Sequence, residues 1–340
     1  MTRALPERIA ALFDDDMPDD ADWMSLLRHN ALDQLPFPGA GATLERWRAL
    51  ASVAQFDLSL TKLYEGHTDA LAILHEIGEP GQLVPEGAWG VWAAEAPAGR
   101  AVIHLADDGS VRLSGAKCWC SGAVTGDHGL LTAWEGDSPV PQLVALELDQ
   151  PGVTMQTDKW KAIGMASSLA VDVAFDGARA RRVGHPGQYL SRPGFWHGGA
   201  GIAACWYGGA AGIAAAMHKA LLEPGRSAPD GFRLAALGKV ELALEETAAT
   251  LRAAAAWIDT HPALDAARVA LTARLSAERC ARCVLDEVGK AMGASPFCLD
   301  EKFAKAAADL PVFIRQSHAE RDFAALGERV LDRPLAAWTL

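Results

Sequence analysis

The chain has no surplus of positive charge: 31 Lys and Arg stand against 43 Asp and Glu, a net charge of -12. Nothing neutralises phosphates in bulk, so nucleic acid is not an expected partner, and a polyanionic ligand would need a local basic patch. An apolar leader is also missing after Met1-Thr-Arg, so no signal peptide is expected and the cytoplasm is the expected location. Long apolar runs are scarce. The one long uncharged run, 198–217, is mostly Gly and Ala, so a close-packed helix is expected there and no membrane span. The 6 cysteines, without a secretion signal, read as free thiols of a reducing compartment. Cys280 and Cys283 have CxxC spacing but lack a second CxxC or a nearby His pair. Packing within an Ala/Arg/Glu-rich helix is expected there before a zinc or redox role, and no metal site is expected. Neither an internal repeat nor a low-complexity segment beyond Ala-rich helix is present.

What is present divides by periodicity. The 340 residues, half of them hydrophobic, suffice for two or three domains with a large buried core. The middle alternates. Val111 and Leu113 alternate with Arg112 and Ser114, and Val171, Val173 and Phe175 with Asp172 and Ala174, bounded by Gly115 and Asp176-Gly177. Strands are expected over 90–94, 102–105, 111–113, 117–120, 129–133, 142–147, 153–156 and 169–175, forming an antiparallel sandwich or barrel.

Helices flank this block. Before it they are expected over 5–13, over 23–32 and from Thr43 to 77, with an interruption at Tyr64-Glu-Gly-His67. An acidic turn over 14–20 and a Pro/Gly linker at Pro80, Gly81, Pro85 and Gly87 punctuate them. After it come helices over 202–222, stopped by Pro224-Gly225, then 234–260, 263–292 and 303–331. Pro311 demands a break near Asp309, because a helix-interior Pro costs on the order of 3 kcal/mol. The expected fold class is α+β: an N-terminal helical domain (1–88), a central antiparallel β domain (89–185) and a C-terminal four-helix bundle (186–340).

Two segments carry a family likeness. Leu113–Ala123 (LSGAKCWCSGA) and Trp160–Ala180 (WKAIGMASSLAVDVAFDGARA) resemble, in order, two β segments of the acyl-CoA dehydrogenase superfamily. The likeness extends over residues 20–330. It implies FAD as cofactor, a homodimer or homotetramer, and a small-molecule substrate such as a CoA thioester, with hydride passed to flavin and on to an electron-transfer flavoprotein. It also implies that Trp119 lies against the flavin and that Ser121 bonds its polar edge. In a regular strand residues i and i+2 share a face; the alternative for the pair is ordinary packing of Trp119 with an exposed Ser121. Trp92 and Ala94 on the opening strand are the matching cofactor-side positions, Ala94 standing where the family has Thr in its Thr-Glu-Pro element. The family's Gly-Ser-Asp has no match in Ala93–Gly99 (AAEAPAG).

The family's Glu base takes the substrate's α-proton as hydride leaves for the flavin. It has no counterpart here: the corresponding stretch, Asp309–His318 (DLPVFIRQSH), puts Ser317 or His318 at that place. His318 is then either a polar group beside flavin, as in the monooxygenase branch of the family, or part of a polar helix surface. Arg315 and Gln316 either hold FAD across a subunit boundary or form surface pairs. His67, with Glu65, and His197, beside Phe195 and Trp196, are candidate pocket residues; packing is the competing reading of both. An acyl-CoA dehydrogenase-like oxidoreductase is the leading expectation, with a flavin monooxygenase or a non-catalytic partner subunit of the same fold as alternatives.

Overall fold

The computed structural model describes residues 3–14, 22–79, 81, 84–95, 99–223, 229–331 and 338. Most of the acidic turn over 14–20, Pro80, residues 96–98 and Pro224-Gly225 lie outside the described residues. In chain order the helices before the strands are α1 (Leu5–Phe13), α2 (Trp23–His29), α3 (Thr43–Phe56) and α4 (Leu58–Ile77). The strands are β1 (Trp89–Trp92), β2 (Ala101–Leu105), β3 (Val111–Cys120), β4 (His128–Glu135), β5 (Gln142–Glu147), β6 (Val153–Gln156) and β7 (Val171–Val183). Helices α5 (Gln188–Ser191), α6 (Gly194–Leu221), α7 (Gly231–Thr260), α8 (Ala267–Met292), α9 (Ser295–Leu299), α10 (Glu301–Phe313) and α11 (Glu320–Leu331) follow. By contacts the chain forms two compact units, one of residues 1–35 and 59–195, the other of 36–58 and 196–340.

In the first unit β2, β3, β7, β5 and β4 pair in a ring, with β1 added beside β4 and β6 beside β7. Strand β7 makes closure possible. Its first half pairs with β6 and β3, and its last residues, Arg181–Val183, pair with β5. The sheet is mixed rather than purely antiparallel, since β1 and β2 both run parallel to β4. Inward alternation fills the ring with Ile103, Leu113, Leu131, Val144, Val173 and Phe175. Outside it, Ala70, Ile73, Leu74 and Ile77 of α4 pack on Trp89, Leu130, Leu143 and Val183.

Three departures from the sequence expectation in this unit are set by tertiary contacts. The stretches 111–113 and 117–120 are one strand, because β3 pairs with β7 along its length. Strand β7 runs through Asp176-Gly177: Gly152 accepts the Asp176 N–H at 2.8 Å, so the sequence's turn signal becomes a register shift. Helix α4 runs uninterrupted through Gly66. Its side chains hold it there: the Tyr64 hydroxyl donates to the Leu32 carbonyl at 2.5 Å, and His67 is fixed as described below.

In the second unit α3 ends at Asp57, which is extended and pairs through its carboxylate with Lys305 at 2.9 Å. Helix α6 packs on α3 at its glycines. A Cβ on Gly208 would stand 2.4 Å from the Ala51 carbonyl oxygen, and one on Gly212 would stand 3.1 Å from that of Gln55. The small residues at helical spacing therefore serve close helix approach. Helix α6 is also the one described helix long and apolar enough to cross a membrane, but 72% of its apolar window is buried within the protein. It starts at Gly194, eight residues before the expected start, since the Glu76 carboxylate accepts the Gly194 N–H at 3.1 Å and favours a helix N-terminus there. Pro311 sits inside α10 rather than at a break near Asp309. The interruption comes at 314–319, where a short 3-10 turn separates α10 from α11.

Candidate functional site

The first cluster surrounds the end of β3. The ladder to β7 is broken between Lys117 and Cys120. Within that break Trp119 has φ +60°, a left-handed conformation costing a non-glycine residue about 1–2 kcal/mol. The simple i, i+2 alternation expected for Trp119 and Ser121 therefore does not hold. Trp119 is 55% exposed instead. Its conformation is locked from both sides. Gly122 donates to the Ser168 carbonyl at 3.1 Å, and the Trp92 indole N–H donates to the Ser121 carbonyl at 3.0 Å. Trp92 itself is buried in the ring's core, so it buttresses the turn. Ala94 is exposed just beyond β1.

Deeper in the ring, Lys117 is 2% exposed. Its ammonium donates to Glu95 at 2.8 Å and to the Thr132 hydroxyl at 2.7 Å. Burial opposes ionisation of Glu95, but the bonds from Lys117 and Thr132 and the charge of Lys117 outweigh it, holding the carboxyl below its usual value.

Ser121 also lines a cleft of about 260 Å³ wholly within this unit, shared with Arg28, Lys62, Gly66, Trp89 and Asp127. His67 does not line it. Its Nε2 lies 3.1 Å from Asp33 Oδ2, and its Nδ1 accepts the Trp89 N–H at 3.1 Å, so the acceptor nitrogen is fixed and Nε2–H faces the carboxylate. The ring ties α4 to β1, and the neighbouring Gly66 reaches the cleft in its stead.

The second cluster lies in the other unit, at the turn between α10 and α11. Arg315 pairs with Glu278 of α8 at 2.9 Å, as does Arg282 at 2.6 Å. Ser317 donates to the same carboxyl. Burial raises the pKa of Glu278, yet the bonds from Ser317, Arg282 and Arg315 with the Arg282 charge bring it below the usual value. The Gln316 carbonyl accepts from Arg274 at 2.7 Å. Arg274 also bonds the Gly199 carbonyl and lies over the Trp206 ring. The His318 side chain is 55% exposed, with Nδ1 3.3 Å from Asp322 Oδ1. His197 is buried in the first turn of α6, its ring against Gly39.

Burial raises the thiol pKa of Cys280, pushed up to about 11, and of Cys283. Among the described residues no group of three potential metal ligands assembles. Arg28, Lys62, Glu278 and Arg274 were not singled out by sequence reasoning. Nothing in a lone basic residue on a short helix, or in one Glu of a charged helix, marks it before its partners are known.

No protein-family model and no curated protein sequence matches the chain. Solved structures do. Butyryl-CoA dehydrogenase from Megasphaera elsdenii superposes with a TM-score of 0.82 at 15% identity, covering 97% of this chain and 99% of that one. Methanesulfinate monooxygenase MsuC from Pseudomonas fluorescens gives 0.82 at 19% identity over 98% of both. FMN-bound TdsC from Paenibacillus sp. A11-2 gives 0.81 at 16% over 96% of both. The chain therefore has the acyl-CoA dehydrogenase fold, as its two β segments led one to expect. That fold is common here to a dehydrogenase and to monooxygenases.

Proposed function

We propose that the protein is a flavin-dependent oxidoreductase acting on a small organic molecule. The observation that carries this reading is Trp119: a large aromatic side chain, exposed, held in a strained conformation by bonds from Trp92 and Gly122. Strain of this kind persists where the surroundings over-determine it, and it concentrates at ligand sites. An outward indole with a hydroxyl close by at Ser121 suits a flat, polar-edged ring such as isoalloxazine. When bound, a flavin supplies the two-electron acceptor that the side chains of this protein lack. Trp119 would cover its face, Ser121 would bond its edge, and Trp92 would keep the Ser121 turn in register. Arg315 and Gln316 are the proposed contacts from the helical unit, reached across a subunit boundary in a homodimer or homotetramer. The exposed Ala94 adds little more than shape.

The finer reading concerns the reaction. Dehydrogenation of an acyl-CoA needs a carboxylate to take the α-proton. Among the described residues of the helical unit the buried carboxylates are Glu278, Glu287, Asp309 and Asp322. The first three pair with arginine or lysine, and Asp322 accepts the His318 N–H and faces its ring. Glu278 and Glu287, held below the usual carboxylate pKa by these bonds, are weak bases. This favours a flavin monooxygenase-type reaction, with His318 or Ser317 as the polar group that the family likeness puts at the place of the base, over acyl-CoA dehydrogenation with an electron-transfer flavoprotein as acceptor.

The test is a visible absorbance spectrum of the purified protein, with FAD or FMN added if it is colourless, followed by two assays. Bound flavin that is not bleached by butyryl-CoA without oxygen, and that supports oxygen-dependent substrate turnover when supplied reduced, is the expected result. Bleaching by the thioester would restore the dehydrogenase reading. A protein that takes up neither flavin would overturn both.

A further inference from the structure

The cleft of the first unit has a charge arrangement that its own residues do not complete. Each of its carboxylates is already engaged. Asp22 caps α2 by accepting the Ser25 N–H at 3.0 Å, and Asp127 Oδ2 accepts the Ala88 N–H at 2.6 Å. Lys62 is paired with Glu65 at 2.7 Å. Arg28 differs. Its closest carboxylate oxygen, Asp127 Oδ2, is 4.0 Å away, at the outer limit of an ion pair, and among the described residues its guanidinium makes no hydrogen bond. Its side chain is only 28% exposed. A guanidinium carries five N–H donors in a planar fork matched to two oxygens of one anion. The hydroxyls of Ser121 and Thr125 line the same cleft, and Leu63, Trp89 and Val91 give it an apolar part.

We propose that this cleft binds an organic acid, its carboxylate, sulfinate or sulfonate group held by Arg28 and its apolar body against Leu63 and Trp89, and that Arg28 sets the specificity for that anion. The inference rests on the proposed flavin reading only in taking this ligand to be the substrate. An oxyanion could also be supplied by the phosphate of the flavin itself, and the experiment separates the two sources.

The full chain is titrated by calorimetry with benzoate, benzenesulfinate and neutral benzamide, first without flavin and then saturated with it. Both anions are expected to bind at least tenfold tighter than benzamide. Their affinity should fall as NaCl is raised while that of benzamide does not. Arg28→Met should remove the preference and leave flavin affinity at the wild-type value. Equal binding of benzamide and benzoate, a preference independent of salt, or a preference surviving Arg28→Met would each overturn the proposal. So would an Arg28→Met protein whose flavin affinity drops tenfold while benzoate binding stays, since the cation would then belong to the cofactor. Arg28-dependent benzoate binding in a protein that takes up no flavin would sink the oxidoreductase reading and leave this one standing. A flavin-loaded protein indifferent to the anions would do the reverse.

Discussion

Replacing Trp119 separates its two roles, strained backbone and ligand platform. The residue is 55% exposed. A Trp side chain has up to about 250 Å² to bury, so about 140 Å² stays available to a planar ligand. At about 25 cal/mol per Å² that is an upper limit near 3.5 kcal/mol, and stacking of a base on an aromatic side chain is worth about 1–3 kcal/mol. Trp119→Ala should therefore weaken flavin binding about 10- to 100-fold.

The backbone makes a second, opposite prediction. At φ +60° glycine escapes a left-handed penalty of about 1–2 kcal/mol and pays back about 0.5–1 kcal/mol in unfolded-chain entropy. Trp119→Gly should thus be more stable than Trp119→Ala by about 0.5–1 kcal/mol while binding flavin equally poorly. Quenching of flavin fluorescence gives the affinities, and urea unfolding gives the stabilities. A folded Trp119→Ala protein with wild-type flavin affinity and an unchanged bound-flavin spectrum would refute the platform argument. Equal stability of the two variants would refute the strain argument alone.

Other perturbations test the frame around the site. Gly208→Ala drives a methyl to within 2.4 Å of the Ala51 carbonyl, so α6 and α3 must part, at about 1–3 kcal/mol by thermal or urea unfolding. Asp259 accepts from Gly41 N, Thr43 N and the Thr43 hydroxyl; Asp259→Ala strands these donors and should cost about 2–4 kcal/mol. Native thiol titration should label the exposed Cys298 first and leave Cys120 and Cys280 unreacted until unfolding, since they are buried and burial raises their pKa values. Glu278 has a folded pKa below its unfolded one, so its stabilisation is present above the ordinary carboxylate pKa of about 4.3 and is lost as pH falls through the folded value. Glu278→Gln should then destabilise the protein at pH 7, and the gap to wild type should close on acidification below about pH 4.

The fold was legible wherever local pattern and tertiary pairing agree. Strands 142–147 and 153–156 and the helix at 5–13 have the expected bounds because the turn residues flanking the strands, and the Glu7 carboxylate accepting the Ala4 N–H, point the same way there. The errors fall where a distant group overrides the local signal. Gly66 stays helical because Leu32 and Asp33 hold Tyr64 and His67. Asp176-Gly177 stays in a strand because β3 and β6 flank it. Gly194 starts a helix because Glu76, 118 residues away, caps it. The same holds for the site. Trp119 and Ser121, the proposed flavin contacts, are singled out by a contiguous motif. Arg28 acquires meaning only from Asp127, Ser121 and Lys62, which the fold brings to it, and no spacing in the sequence encodes that.

The carboxylates of the helical unit bear on the choice of reaction through the free energy that would be needed to free one. Glu278 is the most constrained: nearly buried, bonded by Ser317 and flanked by Arg282 and Arg315. To act as a base it would have to accept a proton while two guanidiniums stay beside it. Each pKa unit by which they hold it down costs about 1.4 kcal/mol of driving force for that step. A reaction that asks no proton of a carboxylate escapes this cost, and oxygen transfer to an electron-rich substrate is of that kind. An anion held by Arg28 in the other unit is compatible with the same economy, since the guanidinium stays charged throughout and serves only to hold the substrate. Dehydrogenation of a thioester would require a group other than these buried carboxylates to take the proton, and Arg28 would then face a neutral acyl chain with only the 4.0 Å contact to Asp127 to answer its charge.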